Sequence, residues 1–347
     1  MLSLKRKNLL LSSALVGLLA LVAGCGGGTT TTSDAGTDTE VAASDSGDCP
    51  RPEKMDARFC DRDGDLVADA PEDPADFVDP DTLIFSYTPV EDPAVYRDVW
   101  AEFIEHMEEV TGKNVEFFAV DSNAAQLEAM RAGRLHVAGF NTGSNPFAVN
   151  FAGFVPFAMM AAADGSFGYE MEIIVPAESE VQTIEDLQGK EVAFTSQTSN
   201  SGFKAPSALL DSEFGLAEGT DYTSTFSGSH DNSILGVAND DYEAAAIANS
   251  VLVRMADRGA VDANEVRSIY KSETFPTTGY GYVYNLDPEL AEKVKEAFFT
   301  FEWEGTKLLE EFGKSDEAQF IPITYEEYWA VIRTIDDALG VNYSQPE

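Results

Sequence analysis

The run NVEFFAVDSNAAQLEAMRAGRLHVAGF, residues 114–140, decides the fold class. Asn114–Val120 and His136–Phe140 read as strands, and Asn123–Ala132 between them reads as a helix. A strand, a crossing helix and a second strand define a βαβ unit, and with it a parallel sheet and an α/β fold class. The alternation continues in both directions. Upstream, Thr82–Tyr87 reads as the first strand. It is followed by a helix over Val95–Thr111, whose Val99, Phe103 and Met107 recur at helical spacing before Gly112 ends it. Downstream, strands at Glu172–Val175 and Glu191–Thr195 flank a short helix within Val181–Lys190 that is closed by Gly189.

Helices follow over about 203–214 and 231–239, then a buried strand at Ala244–Ile247 and a return of the chain at Gly279–Tyr284. Pro288–Leu339 reads as largely helical, with Phe298, Phe299 and Phe301 as core candidates, and no internal repeat is evident. The chain from Thr82 onward is longer than one small core usually holds, so two lobes are expected. Residues 82–171 and 283–347 would form the first, and 172–282 the second.

Ahead of this body lies an N-terminus with Lys5, Arg6 and Lys7 before an apolar run from Leu9 to Ala23, which reads as a signal peptide over residues 1–24. Leu21-Val22-Ala23-Gly24-Cys25 resembles the lipobox of bacterial lipoproteins, in which the cysteine is acylated, making Cys25 the expected anchor to a bacterial membrane on its extracytoplasmic side. An uncleaved transmembrane helix and ordinary secretion are the alternatives. The run is short for a bilayer span of roughly 20 residues. Residues 25–48 are small and polar and are expected to act as a tether. With Cys25 lipidated, Cys49 and Cys60 remain as a disulfide pair in an oxidising compartment, or as two free thiols.

The acidic segment 49–81 contains Asp61, Asp63, Asp65, Asp69 and Glu72 at loop positions one, three, five, nine and twelve, with the Val67 carbonyl at seven. That spacing resembles a calcium loop, where any bound Ca2+ would be structural, and a solvated acidic loop is the other reading. Leu66 stands where such a loop has glycine, and no flanking helices are evident. No other cofactor is required by the sequence. With 61 acidic against 22 basic residues, the net charge of -39 argues against nucleic acid or anionic lipid as a partner and obliges an anionic ligand to be attracted by local dipoles.

Three strand-to-helix turns offer such dipoles. Thr195–Pro206 combines small hydroxyls and a glycine at a helix start, where free backbone N–H groups favour an anion. Ser227–Asn232 is a second, with His230 as a hydrogen-bond donor, and Phe140–Pro146 is a third in the first lobe. Serine at a helix start is commonly only a cap, and a lone histidine is commonly structural. His106, on a helix surface, and His136, at a strand start, have no such company. Loops at strand carboxyl ends are where an open α/β sheet holds ligand, and a cleft between lobes lets the three converge.

Ala162–Tyr169, Thr198–Phe203 with Pro206, and Gly228–Asn232 resemble the phosphate/phosphite/phosphonate-binding proteins of ABC importers over about Leu83–Leu339. The resemblance implies a two-lobed type II periplasmic-binding-protein fold closing over a small oxyanion, an ABC permease and ATPase as partners, and a monomer. It carries oxyanion contacts over to Ser199, Asn200, Ser201 and His230, with Asn200 in place of the family's threonine. The family's first-lobe tyrosine aligns with Phe140, followed by Asn141. Its acidic residue aligns with Ala248 or Asn249, and a strand-end cap is the alternative role for Asn249. Thr88 and Tyr96 are further cleft candidates after the first strand, as are Tyr87, Tyr280 and Tyr282.

No nucleophile elbow surrounds either serine and no paired acids or metal cluster stand out, so an enzyme is not expected. The alternatives kept are a binding protein for a sulfonate or another small anion, and a sensor.

Overall fold

A computed structural model describes residues 49–344. The signal peptide, Cys25 and the tether lie outside the described residues. Eleven strands are described: β1 Thr82–Tyr87, β2 Asn114–Phe117, β3 Val137–Phe140, β4 Phe154–Ala161, β5 Tyr169–Pro176, β6 Glu191–Phe194, β7 Thr223–Phe226, β8 Ala244–Ala248, β9 Val266–Phe275, β10 Gly279–Val283 and β11 Gln319–Pro322. They form one sheet in the order β11-β4-β10-β3-β1-β2 and another in the order β7-β6-β8-β5-β9. Each sheet with its helices is a lobe. The chain passes between them twice, through residues 162–168 after β4 and 276–278 after β9.

The expected βαβ unit is present. β1 runs parallel to both β2 and β3, with Phe85 opposite Phe117 on one side and Val137 on the other. The helix Asn123–Arg131 between them starts on Ser122, whose hydroxyl accepts from the Ala125 N–H. The sheet as a whole is mixed, because β10 is antiparallel to β3 and β4, and β11 is antiparallel to β4. A continuous apolar strand such as β4, FVPFAMMA, carries no alternation, and the sequence did not distinguish it. The stretches that became β7, β9 and β11 were likewise not read as strands.

The lobe boundary expected at 282/283 belongs at 276–278, because β10 is a central strand of the first sheet. Its Gly-Tyr-Gly-Tyr sequence explains the placement. A Cβ on Gly281 would lie 2.2 Å from the Val155 carbonyl oxygen, and one on Gly279 would lie 2.3 Å from Asn145 Nδ2. Glycines therefore let the strand settle between its neighbours, while Tyr280 is fully buried in the aromatic core of the first lobe. That core gathers Phe85, Trp100, Phe103, Phe298 and Phe320, whereas Phe299 faces solvent. The single helix expected over Val95–Thr111 is two, Pro93–Val99 and Ala101–Thr111, with buried Trp100 at the junction. Gly112 ends the second in the left-handed conformation, at φ 71°.

Cys49 and Cys60 form a disulfide with their Cα atoms 5.3 Å apart. The segment they close docks on the first lobe. The Asp56 N–H donates to the Asn150 carbonyl, Arg131 pairs with the Asp56 carboxylate at 2.8 Å, and Phe59 packs on Tyr284.

Candidate ligand-binding site

The turn after β6 is built for close approach. Ser199 caps it, accepting from the Gly202 N–H at 3.0 Å, and residues Asn200–Lys204 form a π-helical turn that runs into the helix Ala205–Ser212. Such wide turns leave backbone groups free and recur at functional sites. Opposite, in the first lobe, Asn141 accepts from the Gly143 and Ser144 N–H groups and so shapes the turn after β3. A Cβ on Gly143 would lie 2.2 Å from the Thr198 carbonyl oxygen and 2.4 Å from the Asn200 nitrogen. The two turns thus meet backbone to backbone across the cleft.

His230 begins the helix His230–Ala238 and is buried, at 5% exposure. Its backbone N–H donates across the cleft to the Val90 carbonyl at 3.2 Å. Its Nδ1 accepts from the Ala248 N–H at 3.1 Å, which leaves the ring proton on Nε2, 3.5 Å from Ser199 Oγ. Burial, assisted by Arg254 and opposed by Glu91, lowers its pKa to about 4. The imidazole is therefore a neutral donor aimed at the serines.

Between these turns lies a cavity of about 50 Å³. Of the residues expected from the sequence, Ser199, Asn200, Ser201, His230 and Asn141 line it together, and so does Tyr87. Six expected residues do not, two of them being Tyr280, which is fully buried in the first-lobe core, and Tyr282, which packs on Phe157. Phe140 is fully buried against Phe154, because its place in the middle of the first sheet turns the ring into the core. Thr88 is spent on Asn123 and Asn141, and Tyr96 donates to Glu91 at 2.6 Å while stacking on Phe312. Asn249 accepts from the Glu170 N–H at 3.0 Å, the capping role held open as its alternative, so Ala248 and Ser250 face the cavity instead.

Several lining residues were missed: Tyr169, which accepts from Asn200 Nδ2 at 3.3 Å, Thr277 and Thr278 at the return crossing, and above all Arg254 and Glu317. Arg254 belongs to the helix Asn249–Asp257, whose existence was not read. Its phase with Val251 and Met255 on the buried face was the available signal.

Arg254 also joins a buried cluster behind the cavity that spans the cleft. With Arg258 it pairs with Glu91 of the first lobe, while Arg258 reaches Glu311 as well. Burial pushes the Glu91 carboxyl up, but Arg254, the Tyr96 hydroxyl and Arg258 outweigh it and hold the group below its ordinary range. A second cross-cleft pair joins Lys204 to Asp336 at 2.6 Å, with Lys204 also donating to the Gly143 carbonyl. Asn123 Nδ2 to Thr198 Oγ1, at 2.9 Å, is a third link. The conformation described is a closed one.

In the acidic loop, Asp61, Asp63 and Asp65 offer carboxylate oxygens within 4.8 Å of one another. Asp69 and Glu72 do not join them, because Arg62 pairs with both, at 3.0 and 2.8 Å. Asp61 accepts from the Gly64 and Leu66 N–H groups, and Leu66 adopts the left-handed backbone, φ 70°, where a calcium loop has glycine.

Two mixed sheets joined by two crossings, with helix-start donors from one lobe facing a turn of the other over a small cavity, define a two-lobed binding protein. The family described as the periplasmic substrate-binding protein of phosphonate ABC transporters matches residues 85–328, and the chain belongs to it. It is 28% identical over 285 residues, 76% of this chain and 85% of the relative, to the phosphate-import protein PhnD of Mycolicibacterium smegmatis. It shares its fold with a binding-protein component of an ABC phosphonate transporter of Pseudomonas aeruginosa, at TM-score 0.68 and 21% identity over 74% of this chain and 86% of that one. It also shares it with PhnD1 of Prochlorococcus marinus, solved with methylphosphonate, at TM-score 0.65 and 15% identity over 76% and 99%. These relatives are transport binding proteins.

Proposed function

We propose that this protein captures a phosphorus oxyanion (phosphonate, phosphite or phosphate) between its lobes and presents it to an ABC permease and ATPase. It works as a monomer outside the cytoplasm, held to the membrane by acyl chains on Cys25. The observation that carries the reading is the convergence of the Ser199–Ser201 helix start and the Nε2–H of neutral His230 on one cavity of about 50 Å³. Such an array stabilises negative charge without needing a net positive surface.

Ser199 and His230 do not form a nucleophile and base in this reading. A base would need a free Nε2 lone pair and a partner to which Nδ1 could donate; here Nδ1 is the acceptor, and Nε2 carries the proton. Calorimetric titration of the form beginning after Cys25 with phosphate, phosphite, methylphosphonate, sulfate and taurine tests the proposal. Binding of a phosphorus oxyanion in preference to sulfate and taurine is expected. The reverse order would hand the site to sulfonates.

The reading includes a structural Ca2+ held by Asp61, Asp63 and Asp65, whose mutual repulsion the ion relieves. Calcium is then expected to raise Tm and a chelator to reverse it. An unchanged Tm leaves the loop to its own hydrogen bonds.

A further inference from the structure

We infer that Glu317 is a specificity-determining residue of this site, and that the bound oxyanion is held with one proton shared between a ligand oxygen and the Glu317 carboxyl. The inference rests on the oxyanion reading above. Among the cavity-lining residues Glu317 is the one carboxylic acid, and it arrives from the first lobe, just before β11, whereas the serines and His230 belong to the second.

The other groups facing the cavity are mostly donors: His230 Nε2–H, the hydroxyls of Ser199 and Ser201, and the Arg254 guanidinium. Arg254 does not neutralise Glu317 by contact. Its nitrogens go to Glu91 at 3.2 Å and Ser315 at 3.2 Å. Among the described residues no ion pair engages Glu317, which accepts only from Ser315 Oγ, at 3.2 Å.

Glu317 is half-buried and stands between the cavity and an outer groove on the first lobe, lining both. Across the cavity it faces Tyr87, the Arg254 guanidinium and the neutral His230, with the buried Tyr280 phenol behind Tyr87, Asp316 beside it and Asp164 across the outer groove. Burial pushes its pKa up to about 7, against the opposing pull of Arg254 and the Ser315 hydrogen bond.

A fully ionised oxyanion in so small a space would repel a carboxylate. One proton between them converts the repulsion into a charge-assisted hydrogen bond. The proton balance is simple. A protonated Glu317 meeting a dianion, and an ionised Glu317 meeting a monoprotonated ligand, give the same complex. In alkaline solution, where both are ionised, the proton is taken from solvent as the ligand binds.

The experiment is calorimetric titration with inorganic phosphate and with methylphosphonate in mildly alkaline solution, in two buffers of different ionisation enthalpy, on wild type and Glu317→Gln. Wild type is expected to take up about one proton per ligand and to weaken about tenfold for each further pH unit, as proton linkage requires. Glu317→Gln, which keeps the shape and should keep the Tm, is expected to bind without proton uptake and without that slope.

Wild-type binding with no uptake, or uptake undiminished in Glu317→Gln, overturns the inference. So does tight binding of 2-aminoethylphosphonate without uptake that is lost in Glu317→Gln, since the acid would then serve an ammonium group. Absence of heat from the wild type with every phosphorus oxyanion overturns the reading of the site itself, a separate result.

Discussion

His230 shows how one backbone contact sets the chemistry of a side chain. Because the Ala248 N–H occupies Nδ1, the ring is fixed as an Nε2 donor, and burial keeps it neutral. Replacing it by alanine removes a donor worth roughly 1.5 to 3 kcal/mol to a charged ligand, so Kd is expected to rise by about tenfold or more. Titration of His230→Ala with the preferred ligand checks this, and unchanged affinity would remove His230 from the site.

The depressed pKa also has a stability consequence. The unfolded chain binds this proton more readily than the folded one, so the contribution of His230 is complete above the ordinary imidazole range near 6.5 and is lost as pH falls toward about 4. Unfolding midpoints across that window should fall with pH by more in wild type than in His230→Asn. Equal slopes would mean that the buried ring is not the titrating group.

At the scale of elements, the closed cleft depends on two turns that touch through backbone. Gly143 has a negative φ, so alanine fits its conformation but not its surroundings, where a Cβ would strike the Thr198 carbonyl oxygen at 2.2 Å. Gly143→Ala should leave each lobe folded and disfavour closure, raising Kd about tenfold or more and enlarging the radius of gyration with ligand present. Tight binding with wild-type compaction would show that the turns yield.

The legibility of elements followed their local signals. β1, β2, β3 and β8, and the helices capped by Ser122 and Gly112, were readable because periodicity and caps are encoded within a few residues. β4 is buried on both sides and lacks alternation, while edge strand β9 is mostly polar, VRSIYKSETF, and its pairing with β5 is remote in sequence. Both needed a partner to be recognised.

For the whole molecule, the net charge of -39 confronts the closure of two acidic lobes over an anion. Between Tyr169 and Phe275 there are six lysines and arginines, and Lys204, Arg254 and Arg258 of these cross the cleft to acids of the first lobe. These pairs are largely enclosed and escape screening. The repulsion between lobe surfaces and the field opposing the ligand are screened within a Debye length of about 8 Å at physiological ionic strength. Moderate salt is therefore expected to tighten binding, opposite to the trend of a basic pocket. Measuring Kd against sodium chloride decides it, and weakening from the lowest salt upward would mean that Arg254 dominates the field at the ligand.

The sequence by itself determined the α/β class and the two lobes, and it pointed to the turns around Ser199 and His230 and to the Cys49–Cys60 pairing. Each depends on backbone propensity, local dipoles or residue arithmetic that a short window contains. Only the tertiary structure decided that Phe140 belongs to the core, that Asn249 caps the Glu170 N–H, that β10 belongs to the first sheet, and that Arg254 and Glu317 face the cavity. The physical reason is that the role of a charged or aromatic side chain is set by its burial and by partners far away in the chain. Arg254 meets Glu91 and Ser315 only when two distant lobes close.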